Sequence, residues 1–326
     1  DVSRETQRAK VLAIIGIAIG FSFYVAVLLG PLINENWGLS GVFAVTGVLA
    51  LMCMPLIQWV VPDGKTQASG DTLPQRGQVK RLMLSSQLWR LNVSVLILHM
   101  LITLLFVQLP VTLLHFDMTL DSHWMLYLPV LAISIVGLVI MMGAGRGRTP
   151  KRLIFTAVAF MLAAFAMMAL QHHQWWVVIV AVVLFFTGFN YLEANFPALV
   201  SSIAPAGEKG TAMGIYASFQ FFGAFMGGVL SGLITDTFSA QTAYGVGAAG
   251  ALVWFVVLWG LKEVRKIRRV SLNIDLSQWQ PGALKDALNT VPGVEETTIN
   301  TEMGVVYLKV TRDFDTAAAR KLLSQP

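Results

Sequence analysis

The sequence predicts an all-α, multi-span membrane protein followed by a small α+β domain of βαββα order. Three observations predict it. Of 326 residues, 56% are hydrophobic and only 13% charged, with mean hydropathy +0.67, against roughly 25% charged in ordinary soluble domains. Residues 7–33 (QRAKVLAIIGIAIGFSFYVAVLLGPLI) and 208–234 (EKGTAMGIYASFQFFGAFMGGVLSGLI) align without a gap at an offset of 201, sharing a basic position (Arg8, Lys209), an apolar run and a Leu-Ile ending. After Arg269 the hydrophobic period shortens from helical to alternating.

Eight stretches are long enough to cross the roughly 30 Å hydrocarbon core, which takes about 20 apolar residues. They lie near 11–33, 39–61, 91–114, 124–144, 153–170, 175–203, 211–234 and 240–261. The second copy of the repeat opens the seventh span, six after the first. A period of six spans marks a transporter built from two similar halves.

The loops alternate in charge. Arg4, Arg8 and Lys10 precede the first span, and Lys65, Arg76, Lys80, Arg81 and Arg90 separate the second from the third. Arg146, Arg148, Lys151 and Arg152 join the fourth to the fifth, Lys209 follows the sixth, and Lys262, Arg265, Lys266, Arg268 and Arg269 follow the eighth. The intervening loops, 34–38, 115–123, 171–174 and 235–239, hold no Lys or Arg. By the positive-inside rule every basic loop, both ends of the chain and the terminal domain are cytoplasmic. The net charge of +5 is therefore a topology signal, and no nucleic-acid partner is expected. The lone Cys53 excludes a disulfide framework and reads as a small buried apolar residue.

Beyond the spans, Val270, Leu272, Ile274 and Leu276 alternate as a strand, and 281–291 carries Leu284, Ala287, Leu288 and Val291 at helical spacing, stopped by Pro292-Gly293. Strands at 297–301 and 305–310 flank a turn at Glu302-Met303-Gly304, and Asp315 caps a last helix, 316–323. This is a ferredoxin-like half-sandwich without its final strand. Its first loop, DLSQWQP, has no Cys or His for a metal, and its five Lys and Arg face seven Asp and Glu. The basic hinge 262–269 is read as a solvated run or as a clasp for anionic lipid or the acidic domain.

The long basic connection 62–90 falls two spans into the chain, with six spans after it. If each half holds six helices, four helices of the N-terminal half lie outside this chain and the visible spans are helices 5 to 12. A true eight-helix protein is the alternative. The expected domains are 1–61, the last two helices of the first half; 62–90, the central loop; 91–261, the six-helix second half; 262–269, the hinge; and 270–326, the terminal domain.

The twofold repeat, the basic central loop, Gly30-Pro31 at the outer end of the first span and the GRGRTPKR loop together resemble the major facilitator superfamily. Asp1-x-x-Arg4-x-x-x-Arg8, FFTGFNYLEANFPALVS, KGTAMGIYASFQFFG and the tail domain are most similar to its bacterial YajR-like group of efflux transporters. The resemblance implies a monomeric inner-membrane antiporter in which spans 91–114 and 175–203 line a central cavity. Several motifs are eroded. GRGRTPKR keeps Arg146 and Arg148 without an Asp, so a plain positive-inside anchor is the preferred reading. Around Gly30-Pro31 the glycine expected four residues earlier is Ala26, and Asp1 matches an acidic position whose partner loop is not in the chain.

Glu193 is the only acid well inside a span, roughly 15 Å from its cytoplasmic end. Ionised groups at mid-bilayer cost about 2.5 to 3.5 kcal/mol on insertion scales, so a retained one faces a cavity or a partner. Asn190, Glu193 and Pro197 share one helical face with Tyr191 beside it. Glu193 is read as a proton-coupling carboxylate or as a protonated acid bonded to a neighbouring helix. His99, at a similar depth, is read as a proton relay or an interhelical hydrogen bonder. Asn92, Gln108, Tyr216 and Gln220 add polar lining, with Gln220 equally a packing contact. Gly223, Gly227, Gly228 and Gly232 give small-xxx-small spacing for close helix packing. His172-His173 beside Trp175-Trp176 marks the outer interface, with no further metal ligand nearby in sequence.

The expected function is proton-coupled efflux of small, partly hydrophobic compounds by alternating access. The alternative is a membrane ligand sensor whose terminal domain signals. No enzyme chemistry, metal or other cofactor is expected, the proton being the coupling ion. The expected partners are the lipid bilayer, a small-molecule substrate and the remaining helices of the same protein.

Overall fold

The computed structural model describes residues 8–61, 77–144, 150–205, 208–262, 268–273, 279, 281–300, 305–311, 314–315, 319 and 322. Asp1, Arg4, Arg146 and Arg148, most of the central loop and hinge, the Glu302-Met303-Gly304 turn and most of the last helix lie outside the described residues.

The helices are α1 (Arg8–Val60), α2 (Gln78–Leu84), α3 (Leu88–Leu114), α4 (Trp124–Ala144), α5 (Pro150–Gln171), α6 (Trp175–Ile203), α7 (Lys209–Thr237) and α8 (Ala240–Trp259). Among the described residues, seven helices are long and apolar enough to cross a membrane. Helices α4 and α6 have the predicted bounds. The first two predicted spans are one helical run, because the expected loop at 34–38 is helical except for Gly38 (φ 64°, ψ −174°). A side chain strains at such torsions, so the break falls on the glycine. At 53 residues the run would extend about 80 Å if straight, far more than one crossing needs.

Gly30 and Pro31 lie inside α1, and nothing packs where a Cβ at Gly30 would sit. Cys53, expected to be buried, is exposed, as are its α1 neighbours Met52, Met54 and Trp59. Its apolar surroundings in sequence are the outward faces of this helix rather than a packed core.

Two compact units emerge: residues 1–67, 90–197 and 216–261, and residues 68–89, 198–215 and 262–326. In the first, α3 is buried along its length at Leu91, Leu98, Leu101, Leu104, Leu109 and Leu113. Helix α7 approaches it closely, since a Cβ at Gly223 or Gly227 would run into the carbonyl of Leu96 or Met100. Gly228 meets only Thr103 at 3.8 Å and Gly232 nothing, so the predicted glycine face narrows to two positions. Partner numbers rise together along both helices, so α3 and α7 run in the same direction. Lys151 Nζ donates to the Trp259 carbonyl at 3.2 Å, placing a cation at the C-terminus of α8.

In the second unit α2 stands where only a basic loop was expected, burying Gln78 and Leu82. Arg81 pairs with Glu208, and the Lys262 amide donates to Gln87 Oε1 at 2.8 Å. The tail continues as β1 (Arg268–Asn273), α9 (Pro281–Asn289), β2 (Val294–Asn300) and β3 (Val305–Val310). The strands form an antiparallel sheet ordered β1-β3-β2, with Val270 opposite Leu308 and Thr297 also opposite Leu308. Inserting β3 between strands joined through a helix makes a split βαβ unit. Leu284 and Leu288 of α9 pack with Leu272, Val306 and Leu308 as its core.

Candidate functional site

Three helices bring their polar groups together in the first unit. His99 of α3 stands with Nε2 3.7 Å from Oε2 of Glu193 on α6, and Gln220 of α7 bridges the two. Gln220 Nε2 lies 2.8 Å from His99 Nε2 and 3.4 Å from Glu193 Oε1. His99 Nδ1 lies 3.2 Å from the Val95 carbonyl one turn earlier, so it carries the hydrogen on that side. Phe189 packs against the imidazole edge-on, ring centroids 6.0 Å apart.

Glu193 Oε2 and the Tyr216 hydroxyl are both buried without a hydrogen-bond partner among the described residues. A carboxylate held this way in an apolar span has one cation-capable neighbour and one amide. Such a cluster can hold, exchange or share a proton, because every participant has an alternative donor or acceptor state.

The other predicted residues go elsewhere. Asn190 donates to Ser134 Oγ on α4 at 3.3 Å, and Tyr191 is buried. Asn92 is buried, its Oδ1 without a hydrogen bond among the described residues. Gln108, fully buried, donates to Ser231 Oγ at 2.7 Å and to Thr235 Oγ1, tying α3 to α7. Thr112 extends this tie by sharing a 2.7 Å hydrogen bond with the Tyr244 hydroxyl of α8. Sequence reasoning missed Ser231 and Thr235, although they continue the Gly223, Gly227 spacing of four along one face.

Outside the spans, His172 is buried and its ring lies 3.9 Å from that of His173, whose ring in turn lies 5.9 Å from that of His115. His115 was missed because its loop precedes α4, far from His172 in sequence. Burial, with smaller contributions from His173 and His115, holds the His172 imidazole below its ordinary value, against the Met168 carbonyl, which raises it. Among the described residues no group of three or more His, Cys, Asp or Glu side chains is arranged to hold a metal.

The sequence matches the family profile described as Major Facilitator Superfamily over residues 1–228 and again over 148–291. The chain belongs to the major facilitator superfamily. It is 33% identical over 312 residues to the inner membrane transport protein YajR of Escherichia coli (strain K12), covering 95% of this chain and 69% of that protein. An uncharacterized transporter of Buchnera aphidicola subsp. Acyrthosiphon pisum is 27% identical over 230 residues, with 70% of this chain and 59% of that protein covered. A third relative, an uncharacterized transporter of Buchnera aphidicola subsp. Schizaphis graminum, is 28% identical over 266 residues and 68% covered. The chain thus spans about two thirds of the length of these relatives. Membership in this superfamily makes it a multi-pass membrane protein of a transporter family, and its relatives are described as transporters.

Proposed function

We propose that this major facilitator chain serves proton-coupled efflux of small, partly hydrophobic compounds, with Glu193 and His99 as the groups that carry the proton. The observation that carries the proposal is the pairing of the half-buried Glu193 and His99 across two spans at 3.7 Å. An acid retained in a span at such cost is expected to have a use that a hydrophobic residue cannot supply. Family membership supports transport over ligand sensing. Alternating access then opens the cluster to one side of the membrane at a time.

The basic loops support a cytoplasmic position for the terminal domain, and the printed name of the Escherichia coli relative supports the inner membrane. The split βαβ order supports a ferredoxin-like reading of residues 270–326 as the terminal domain, with 62–90 as central loop and 262–269 as hinge. The substrate is expected to be a compound apolar enough to lie against the half-buried Phe189 ring beside His99.

Proton binding by the purified protein in detergent tests the proposal directly. Between about pH 8 and 5, the wild type is expected to take up protons that Glu193→Gln and His99→Gln each fail to bind. In proteoliposomes, pH-driven export of a lipophilic test compound should fall at least tenfold, about 1.4 kcal/mol, in Glu193→Gln. Equal proton uptake by wild type and both variants would remove these residues from the mechanism.

A further inference from the structure

We infer that Gln220 is a positioning residue that gates the proton on His99: its amide must turn before His99 Nε2 can carry a hydrogen. This rests on the proton-coupled reading above, which assigns the proton to Glu193 and His99.

The geometry leaves one consistent set of hydrogens. His99 Nδ1 faces the Val95 carbonyl and therefore holds its hydrogen there. In the neutral ring Nε2 is then a lone pair, and at 2.8 Å it accepts from Gln220. The same amide nitrogen faces Glu193 Oε1 at 3.4 Å, an acceptor whether or not the acid is ionised. The reversed amide would set its carbonyl oxygen against that carboxyl oxygen and against the His99 lone pair. One amide orientation thus satisfies a neutral histidine and an ionised glutamate together.

That orientation also blocks the atom the proton needs. A hydrogen arriving on Nε2 would face the Gln220 N–H, donor against donor. Turning the amide presents its carbonyl instead, which accepts from Nε2–H; the imidazolium then lies 3.7 Å from Glu193 Oε2, and this charge pairing offsets the approach of the turned carbonyl to Glu193 Oε1. The transfer balances: a hydronium ion reaching the cluster gives its proton to Nε2 and leaves as water, and Glu193, already ionised, is the counter-charge. The titratable groups at the cluster are His99 from α3, Glu193 from α6 and, one turn before Gln220 on α7, the buried Tyr216. Each helix packed there contributes one, and Gln220 is the one neutral group bonded to two of them.

Imidazole nitrogen NMR of the full chain, labelled in histidine, reads the state of His99 directly. In wild type near neutral pH the expected signature is a ring with hydrogen on Nδ1 alone. In Gln220→Met, near in shape but without an amide, the ratio of doubly to singly protonated His99 at a given pH should rise about tenfold, because the donor that holds the lone pair is gone and Glu193 remains. Gln220→Glu should raise it further, by charge as well as by accepting from Nε2–H, so Gln220→Met, which adds no charge, is the variant that reads the gate. Thermal unfolding of both variants checks that they are folded, and Gln220→Leu replaces Gln220→Met if that variant melts early. An unchanged ratio in the folded variants overturns the gate. If proton binding survives in Glu193→Gln and His99→Gln, the proton-coupled reading fails; if it is lost there while the ratio stays unchanged, the gate alone fails.

Discussion

Glu193 and His99 could each be singled out from depth alone, since a titratable side chain some ten residues into an apolar span needs a physical reason to be there. That both face one cavity followed from the resemblance, but the bridge through Gln220 was not legible. It depends on the rotation of α7 about its axis, which decides whether Gln220 points to α3 or to lipid; the glycine spacing marks a packing face but does not say which helix it meets. Gln108 illustrates the same limit, since a buried amide reads alike in sequence whether it lines a cavity or ties two helices. At His172 the chemistry is pH dependence. The folded protein holds this proton less readily than the unfolded chain, so below the ordinary value of 6.5 the unfolded state binds more protons and stability falls as the pH falls. Acidification from about pH 7.5 to 5.5 should lower the melting temperature, and His172→Asn should flatten that slope. An equal slope in wild type and variant would assign the dependence to other groups.

Among the elements, span positions were legible because apolar runs of about 20 residues have few alternatives. Ends were less so: α3 starts at Leu88 and α7 runs to Thr237, where hydrogen bonding continues past the apolar core. Helix α2 was missed although Val79, Leu82 and Met83 recur at helical spacing, because a run of seven residues flanked by charge reads as loop. The closeness of α7 to α3 makes a graded prediction. Gly223→Ala and Gly227→Ala each put a methyl against a backbone carbonyl that cannot swing aside, and should cost about 1 to 3 kcal/mol. Gly232→Ala meets open space and should be neutral or stabilise by up to about 1 kcal/mol through helix propensity. Unfolding in detergent measures all three, and equal effects at Gly227 and Gly232 would contradict the packing.

For the whole molecule, the change of hydrophobic period after Arg269 marked where strands replace the long helices, because strands and helices sort apolar residues differently. Strand order was beyond it, since alternation alone does not say which strand lies in the middle. The sheet places β3 there, with Val306, Leu308 and Val310 beneath α9. Leu288→Ala should therefore cost about 2 to 5 kcal/mol locally. Hydrogen exchange would show it as faster exchange of the β3 amides, with protection of α3 unchanged; slowed or unaltered β3 exchange would argue against that core.

Helices α3 and α7 are fastened at three levels by three different means: Gln220 on His99, two glycines against the carbonyls of Leu96 and Met100, and Gln108 on Ser231 and Thr235. A slip of one residue would break all three at once. The pair is a single beam, and any motion that opens one side of the membrane must pivot around it or carry it whole. Spin labels at the exposed Val111 and Leu233 should keep one separation in every transport state, while their distances to Val139 on α4 are free to change.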